Sequence, residues 1–207
     1  MGFMGLLQGL VGLVGLVAGL GIGAGLVSMG ANALAQGDAV RVTALRRASW
    51  WLFWAGGGLA LLLMAVFRVP ISRWMLGGPE HAGDVLLMGL ALLFTLASSI
   101  QTSLLNAHHR VSALARIGVL NSALGSGISL IAVGVWREQG IASSIIASAA
   151  TSWGIATYFL RREARLALAQ PTHRDVSSAA RSLLKFGAPY AASQMISAGV
   201  QFALPAL

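Results

Sequence analysis

The side chains best suited to binding in this sequence are carboxamides that lie in or near long apolar runs. They are Gln8, Asn32, Gln101, Asn106 and Asn121. An amide buried without a hydrogen-bond partner costs about 1–3 kcal/mol, so each is expected to find one. Two interpretations stay open: the amides line a water-filled cavity for a polar substrate, or they hydrogen-bond to neighbouring helices within a bilayer. For any single residue the second is favoured.

The titratable side chains do not predict catalysis, which requires such groups to be placed together. The carboxylates all fall in or beside polar links between apolar runs. His108 and His109 form the only histidine pair, and adjacent helical residues point about 100° apart, which suits one metal ion poorly. The chain has no cysteine. We therefore expect no catalytic residue, no metal site and no cofactor.

Cations that could meet an anionic substrate lie at the ends of apolar runs. Arg68 follows the second run and Arg110 follows the third, and both are candidate cavity residues. The net charge of +8 could suggest nucleic acid. However, the arginines separate apolar runs and do not form a basic face with aromatics, so we expect a lipid bilayer as partner and no nucleic acid.

The elements that must position these residues are transmembrane helices. The chain is 57% hydrophobic and 10% charged, with a mean hydropathy of +0.78, which is not the composition of a soluble domain. Uncharged runs longer than about 18 residues predict spans. The predicted spans are about 2–36, 48–67, 85–107, 117–136 and 139–160, with a short interfacial helix at Ile71–Leu76. The predicted fold class is an all-α, polytopic transmembrane helical bundle.

The first run is rich in glycines at the spacing that lets membrane helices approach closely. The candidate helix-packing residues are Gly15, Gly19, Gly21, Gly23 and Gly25. A straight helix over the whole run would exceed the thickness of a bilayer, so we expect a break between Gly19 and Gly25. Static packing and a bending or sliding helix are both open. A dinucleotide-binding glycine loop is not supported, because no βαβ context surrounds these glycines.

The positive charges predict the orientation of the chain. Eleven of the fourteen Lys and Arg residues lie in the first, third and fifth links between spans, and three lie in the second and fourth. We therefore expect the odd-numbered links, including 161–185, to be cytoplasmic. In the last predicted span, which begins at Phe186, Pro189 would lie in the first helical turn.

Three segments resemble the multidrug/oligosaccharidyl-lipid/polysaccharide (MOP) exporter superfamily. They are GLGIGAGLVSMGANALAQGD at 19–38, TSLLNAHHRVSALARIGVLNSALGSGIS at 102–129 and LLKFGAPYAAS at 183–193. The second is similar to the pattern of a span that ends in Leu-Asn-Gly before a basic pair, with Ala107 in place of the usual Gly. The third is similar to the entry to a second helical lobe. The branch that the chain resembles most is the O-antigen and polysaccharide flippases.

This resemblance implies a transporter that flips a lipid-linked oligosaccharide across the bacterial inner membrane by alternating access, and not an enzyme. Residues 1–185 would form the N-terminal transmembrane lobe and 186–207 the start of a second, so we expect a fragment of a longer, multi-pass protein. The implied substrate is an undecaprenyl-pyrophosphate-linked oligosaccharide, and the implied partners are a polysaccharide polymerase and glycosyltransferases. A cation-coupled small-molecule exporter of the same superfamily and a non-transporting membrane scaffold subunit remain alternatives.

Overall fold

A computed structural model describes Gly19 and residues 21–76, 78, 82–136, 140–163 and 170–203, which fold almost entirely into helices. Within these residues the helices are α1 (Ile22–Ala35), α2 (Ala39–Val66), α3 (Arg68–Leu76), α4 (Ala82–Ala107), α5 (Val111–Trp136), α6 (Gly140–Glu163) and α7 (His173–Ala203). Three of them, α2, α4 and α5 as far as Ala132, are long and apolar enough to cross a membrane. The prediction of an all-α fold is confirmed within the described residues, and three of the predicted spans are helices that could cross a membrane by length and composition.

The glycine-rich first run breaks at Gly21. This residue adopts a left-handed conformation with φ of 63° and caps α1, which then runs for 14 residues. Glycine takes that conformation without the steric penalty that a Cβ would bring. The break predicted between Gly19 and Gly25 is therefore present. Gln8 and Gly15, together with the start of the first predicted span, lie outside the described residues.

Helix α2 begins nine residues before the predicted span at 48–67, so the polar link expected over 38–47 is mostly helical. The Asp38 carboxylate starts the helix by accepting a hydrogen bond of 2.9 Å from the backbone N–H of Arg41. This capping lets the helix form before the apolar run starts. Consequently Arg41, Arg46 and Arg47 lie on a polar extension of the span.

Two helices end in the same kind of C-terminal turn, but with different residues at the left-handed position. After α1, Gly37 has φ of 68°, and the Asp38 N–H donates to the Ala33 carbonyl. After α4, His109 has φ of 52°, and the Arg110 N–H donates to the Leu105 carbonyl. This Schellman geometry satisfies carbonyls that the helix end would leave unpaired.

Helix α7 is continuous across the predicted boundary between link 161–185 and the run that follows it. It starts at His173, and the Asp175 carboxylate stabilises this start by accepting a 2.9 Å hydrogen bond from the Thr172 N–H. Pro189 consequently lies inside the helix. The prediction that it lies in the first helical turn is therefore wrong. A proline inside the helix removes one of its hydrogen bonds, because proline has no backbone N–H.

The long helices alternate in direction along the chain, so α1, α4 and α6 run parallel to one another and α2, α5 and α7 run the opposite way. Helix α4 has the most neighbours. It packs most extensively against α6 and also against α1, α2 and α3, whereas α5 packs mainly against α6. The largest cluster of buried residues, which includes Leu26, Phe53 and Leu105, joins α1, α2, α4, α5, α6 and α7. A smaller one around Met64 and Met88 joins α2 to α4 near their other ends. Helix α4 is thus the centre of the bundle.

We call the end where α1, α4 and α6 finish, and where α2, α5 and α7 begin, the basic end. The described Lys and Arg residues at or near this end are Arg41, Arg46, Arg47, Arg110, Arg116, Arg161, Arg162, Arg174 and Arg181. Lys185 lies further along α7, between the residues of that helix that contact Gly25 and Gly21. Arg68 and Arg73 lie at the opposite end. The fold therefore gathers the first, third and fifth links at one end.

Candidate functional site

One side of α4 carries a row of polar side chains that the bundle does not cover. Thr95, Ser99, Ser103 and Asn106 recur every three or four residues, which places them on one face of the helix. Thr95, Ser99 and Asn106 are exposed and Ser103 is half-buried. Polar groups exposed on a transmembrane helix indicate a water-filled cavity or a covering partner. We call this row the polar stripe.

The middle of the polar stripe, Ser99 and Ser103, forms one wall of a groove of about 440 Å³ between α1, α4 and α7. The residues that line it are Gly19, Gly21, Ile22, Gly23, Ala24 and Val27 from α1 and the residues before it, Leu96, Ser99 and Ser103 from α4, and Tyr190 and Ala191 from α7. Hydroxyl groups thus face a wall that is largely backbone and small side chains.

The glycines of the α1 wall are packed closely against both neighbouring helices. A Cβ at Gly23 would lie 3.0 Å from the Ser103 Oγ, and one at Gly25 would lie 3.2 Å from a Leu183 methyl. At Gly21 it would lie 2.7 Å from the Gly187 carbonyl oxygen, which belongs to the backbone of α7. Gly19 is the least crowded of these, with Leu96 at 3.4 Å. These contacts place α1 directly beside the polar stripe.

The hydroxyls of the stripe differ in how they are satisfied. Thr95 donates to the Ala91 carbonyl of its own helix at 2.8 Å. Within the described part of the chain, the structure gives the hydroxyls of Ser99 and Ser103 no hydrogen-bond partner. A hydroxyl can donate one hydrogen bond and accept two. Ser99 and Ser103 can therefore bind a polar ligand or water in the groove.

The opposite side of α4 also carries polar residues, but these are paired. Gln101, which is 3% exposed, donates from Nε2 to the Thr157 Oγ1 at 2.8 Å. The hydroxyls of Ser98 and Ser152 are 3.0 Å apart, and the Asn121 Nδ2 donates to the Ser152 Oγ at 3.0 Å. We call this hydrogen-bonded set the polar seam. It ties α4, α5 and α6 together.

The predicted cavity residues are therefore not brought to one place. Gln101 and Asn121 lie in the polar seam, which is the interhelical arrangement that the sequence left open, although the buried Asn121 Oδ1 has no partner in the structure. Asn106 is exposed at the basic end of the polar stripe, and Asn32 is exposed near the end of α1.

The two candidate cations lie at opposite ends of the bundle. Arg68 is exposed at the start of α3, far from the basic end. Arg110 is exposed four residues after Asn106, where the polar stripe reaches the basic end. Only Arg110 is positioned to act together with the stripe.

Three residues of the groove, Ser99, Ser103 and Tyr190, were not among the predicted site residues. The signal for the serines was present, since Thr95, Ser99 and Ser103 repeat at helical spacing within an otherwise apolar run. Tyr190 carried no such signal, because only the packing of α7 against Gly21 brings it to the groove.

The described residues show no group of three or more His, Cys, Asp or Glu side chains that could hold a metal ion. His108 lies within 2.8 Å of the Leu104 carbonyl through its Nδ1, while His109 occupies the left-handed turn position. The pair thus forms the turn between α4 and α5.

Comparisons with known proteins add no family to this description: no family model, curated protein or solved structure matches the chain.

Proposed function

We propose that this chain is part of a transporter that moves a lipid-linked oligosaccharide across the bacterial inner membrane by alternating access. The observation that carries the proposal is the polar stripe of α4, whose Ser99 and Ser103 hydroxyls face a groove without partners among the described residues. A hydrocarbon-facing helix gains nothing from such hydroxyls, whereas a substrate pathway requires them.

The chemistry of the groove suits a sugar head group. A lipid-linked oligosaccharide must move a polar head across about 30 Å of hydrocarbon, so its path needs hydrogen-bonding groups at several depths. The stripe provides them from Thr95 to Asn106, along three turns of a membrane-spanning helix. The glycines opposite bring the backbone of α1 close to the stripe and add no side chains of their own to the groove.

The distribution of charge supports an anionic substrate. Arg110 lies where the polar stripe meets the basic end, in a position to attract a pyrophosphate as it enters. Of the described acidic residues, Asp38, Asp84 and Asp175 lie at or near helix starts and Glu163 is the last residue of α6. This favours a flippase over a cation-coupled exporter, in which carboxylates within the spans would bind the coupling ion.

The resemblance to MOP-type polysaccharide flippases supports the same proposal and supplies its finer terms. These terms are the N-terminal lobe of a two-lobe carrier, an undecaprenyl-pyrophosphate substrate, a transport role without enzymatic activity, and a polysaccharide polymerase and glycosyltransferases as functional partners. In such carriers a substrate site lies between two helical lobes that rock against each other. The open side of the groove would face the second lobe.

The test is complementation in the native host, with the encoding gene deleted and restored in its full genomic form. Replacing Ser99 and Ser103 together by Ala removes both hydroxyls without adding bulk against Gly23, so we expect surface polysaccharide to be lost while the protein still accumulates. The matched control replaces Ser122 and Ser126 of α5, which are exposed on the outer side of the bundle, by Ala. It should restore polysaccharide.

Unchanged surface polysaccharide after deletion of the gene would contradict the proposed substrate. Equal polysaccharide in the groove variant and the control would contradict the groove as the pathway. Sensitivity to cationic drugs on deletion, with normal polysaccharide, would instead support the small-molecule exporter.

A further inference from the structure

The last two turns of α6 form a second pocket, separate from the groove. It has a volume of about 440 Å³ and is lined by Gly154, Thr157, Tyr158, Arg161 and Arg162. It lies across α4 from the polar stripe, because α6 packs on the side of α4 that carries Ser98 and Gln101. A ligand here would not be the ligand of the groove.

The phenol and the two guanidinium groups of this pocket can donate hydrogen bonds to an anion, whereas the Thr157 hydroxyl is already bonded to Gln101 and to the Trp153 carbonyl. Arg162 Nη1 donates to the Tyr158 hydroxyl oxygen at 3.0 Å, which leaves the phenol proton free for another acceptor. Arg161 supplies a second guanidinium, and both arginines are exposed. None of the residues that line the pocket is a carboxylate. Guanidinium and phenol donors together match the oxygens of a phosphate group.

Gly154 and Thr157 form the rest of the pocket lining. Gly154 leaves a notch in the helix surface, since a Cβ there would meet no atom within 4 Å. The exposed ring of Tyr158 lies one helical turn beyond that notch. From Gly154 to Arg162 the surface thus changes from notch to aromatic ring to cation. A phospholipid has the same order of parts, from acyl chain through glycerol to phosphate.

The position of the pocket selects a lipid over a soluble phosphate compound. Helix α6 runs beside the membrane-spanning α4, with Ser152 level with Ser98 and Thr157 level with Gln101. Its last turns therefore lie where α4 reaches the basic end, at the depth of the phosphate groups. Two arginines in a last helical turn also complement the helix dipole, but that role requires neither Tyr158 nor a notch.

The geometry points to a binding site for the phosphodiester head group of an anionic phospholipid, formed by Tyr158, Arg161 and Arg162 with one acyl chain along Gly154. This inference does not depend on the proposed transport function. It requires only that α6 lies in the membrane beside α4.

The experiment is native mass spectrometry of the full chain in detergent with phosphatidylglycerol or phosphatidylcholine. We expect the wild-type protein to retain phosphatidylglycerol preferentially. R161Q/R162Q should weaken this binding by about tenfold or more, since each cation near an anionic lipid surface contributes about 1 kcal/mol. The matched control, R174Q/R181Q, removes the same charge from exposed positions of α7 at the same end and should retain the lipid. Y158F should fall between the two.

Two further arms separate the lipid from its head group alone. Glycerol phosphate and inorganic phosphate should fail to displace the lipid, and G154L should weaken binding by filling the notch. Displacement by either phosphate compound together with full binding by G154L would overturn the lipid assignment. Equal loss in R161Q/R162Q and R174Q/R181Q, or no loss in either, would overturn the site. Melting temperatures without lipid should be the same for all variants, which excludes misfolding as the cause.

Discussion

The two sides of α4 treat the same kind of side chain in opposite ways. Ser98 and Ser99 are adjacent in sequence, yet Ser98 is 7% exposed and paired with Ser152, whereas Ser99 is exposed. On the α6 side, hydroxyls and amides meet across the interface. On the α1 side, hydroxyls meet glycines. Polarity within a span therefore does not identify function; what matters is whether the neighbouring helix satisfies it.

The polar seam and the contact between α1 and α7 are also stabilised by different interactions. The polar seam stabilises the α4–α6 contact through interhelical hydrogen bonds, which average about 0.6 kcal/mol in membrane proteins. The α1–α7 contact depends on backbone approach at Gly21 and Gly187. Loss of one hydrogen bond leaves a packed interface, whereas a Cβ in a backbone contact separates it.

The largest effect is expected at Gly21. Gly21→Ala introduces strain at a left-handed residue, about 1–2 kcal/mol, and a clash with the Gly187 carbonyl, about 1–3 kcal/mol. We expect a loss of about 3 kcal/mol in unfolding free energy, measured in detergent. Gly37→Ala is the matched control, because Gly37 has a similar φ but no atom within 4 Å of a Cβ. Equal losses in both variants would show that the backbone contact contributes nothing.

A smaller effect is expected in the polar seam. Gln101→Ala should lower the unfolding free energy by about 1–2 kcal/mol, since it removes a buried amide and leaves the half-buried Thr157 hydroxyl with one partner fewer. In a double-mutant cycle with Thr157→Ala, the coupling should be about 0.6 kcal/mol. Additive losses would contradict a direct bond between the two residues.

The smallest change in stability is expected at Ser99, where the two sides can be compared at neighbouring positions. The chain has no cysteine, so single cysteines can be introduced without a background. Ser99→Cys should unfold within about 0.5 kcal/mol of wild type. It should react with a water-soluble thiol reagent, whereas Ser98→Cys should be protected. Equal labelling would mean that the groove is no more accessible to water than the seam.

The sequence predicted the helical fold because uncharged runs of membrane length leave few alternatives. It could not predict how each helix is rotated, and rotation alone decided that Gln101 faces α6 while Asn106 stays exposed. The extension of α2 to Ala39 was not predicted, because the three arginines lower the hydropathy of residues 39–47 and hydropathy does not register the helix cap at Asp38. The serines of the groove were not predicted from the sequence, because Ser99 and the paired Ser98 are adjacent and only the rotation of α4 distinguishes them.

The polar seam also has a consequence for the order in which the chain enters the membrane during synthesis. Helix α6 is 24 residues long but is not among the described helices apolar enough to qualify as a span alone, because it carries many serines and threonines. Within the described residues, Ser152 and Thr157 of α6 hydrogen-bond to side chains of α4 and α5, which precede α6 in the chain. We therefore expect α6 to insert cooperatively: α4 and α5 must already be in the bilayer when α6 leaves the translocon.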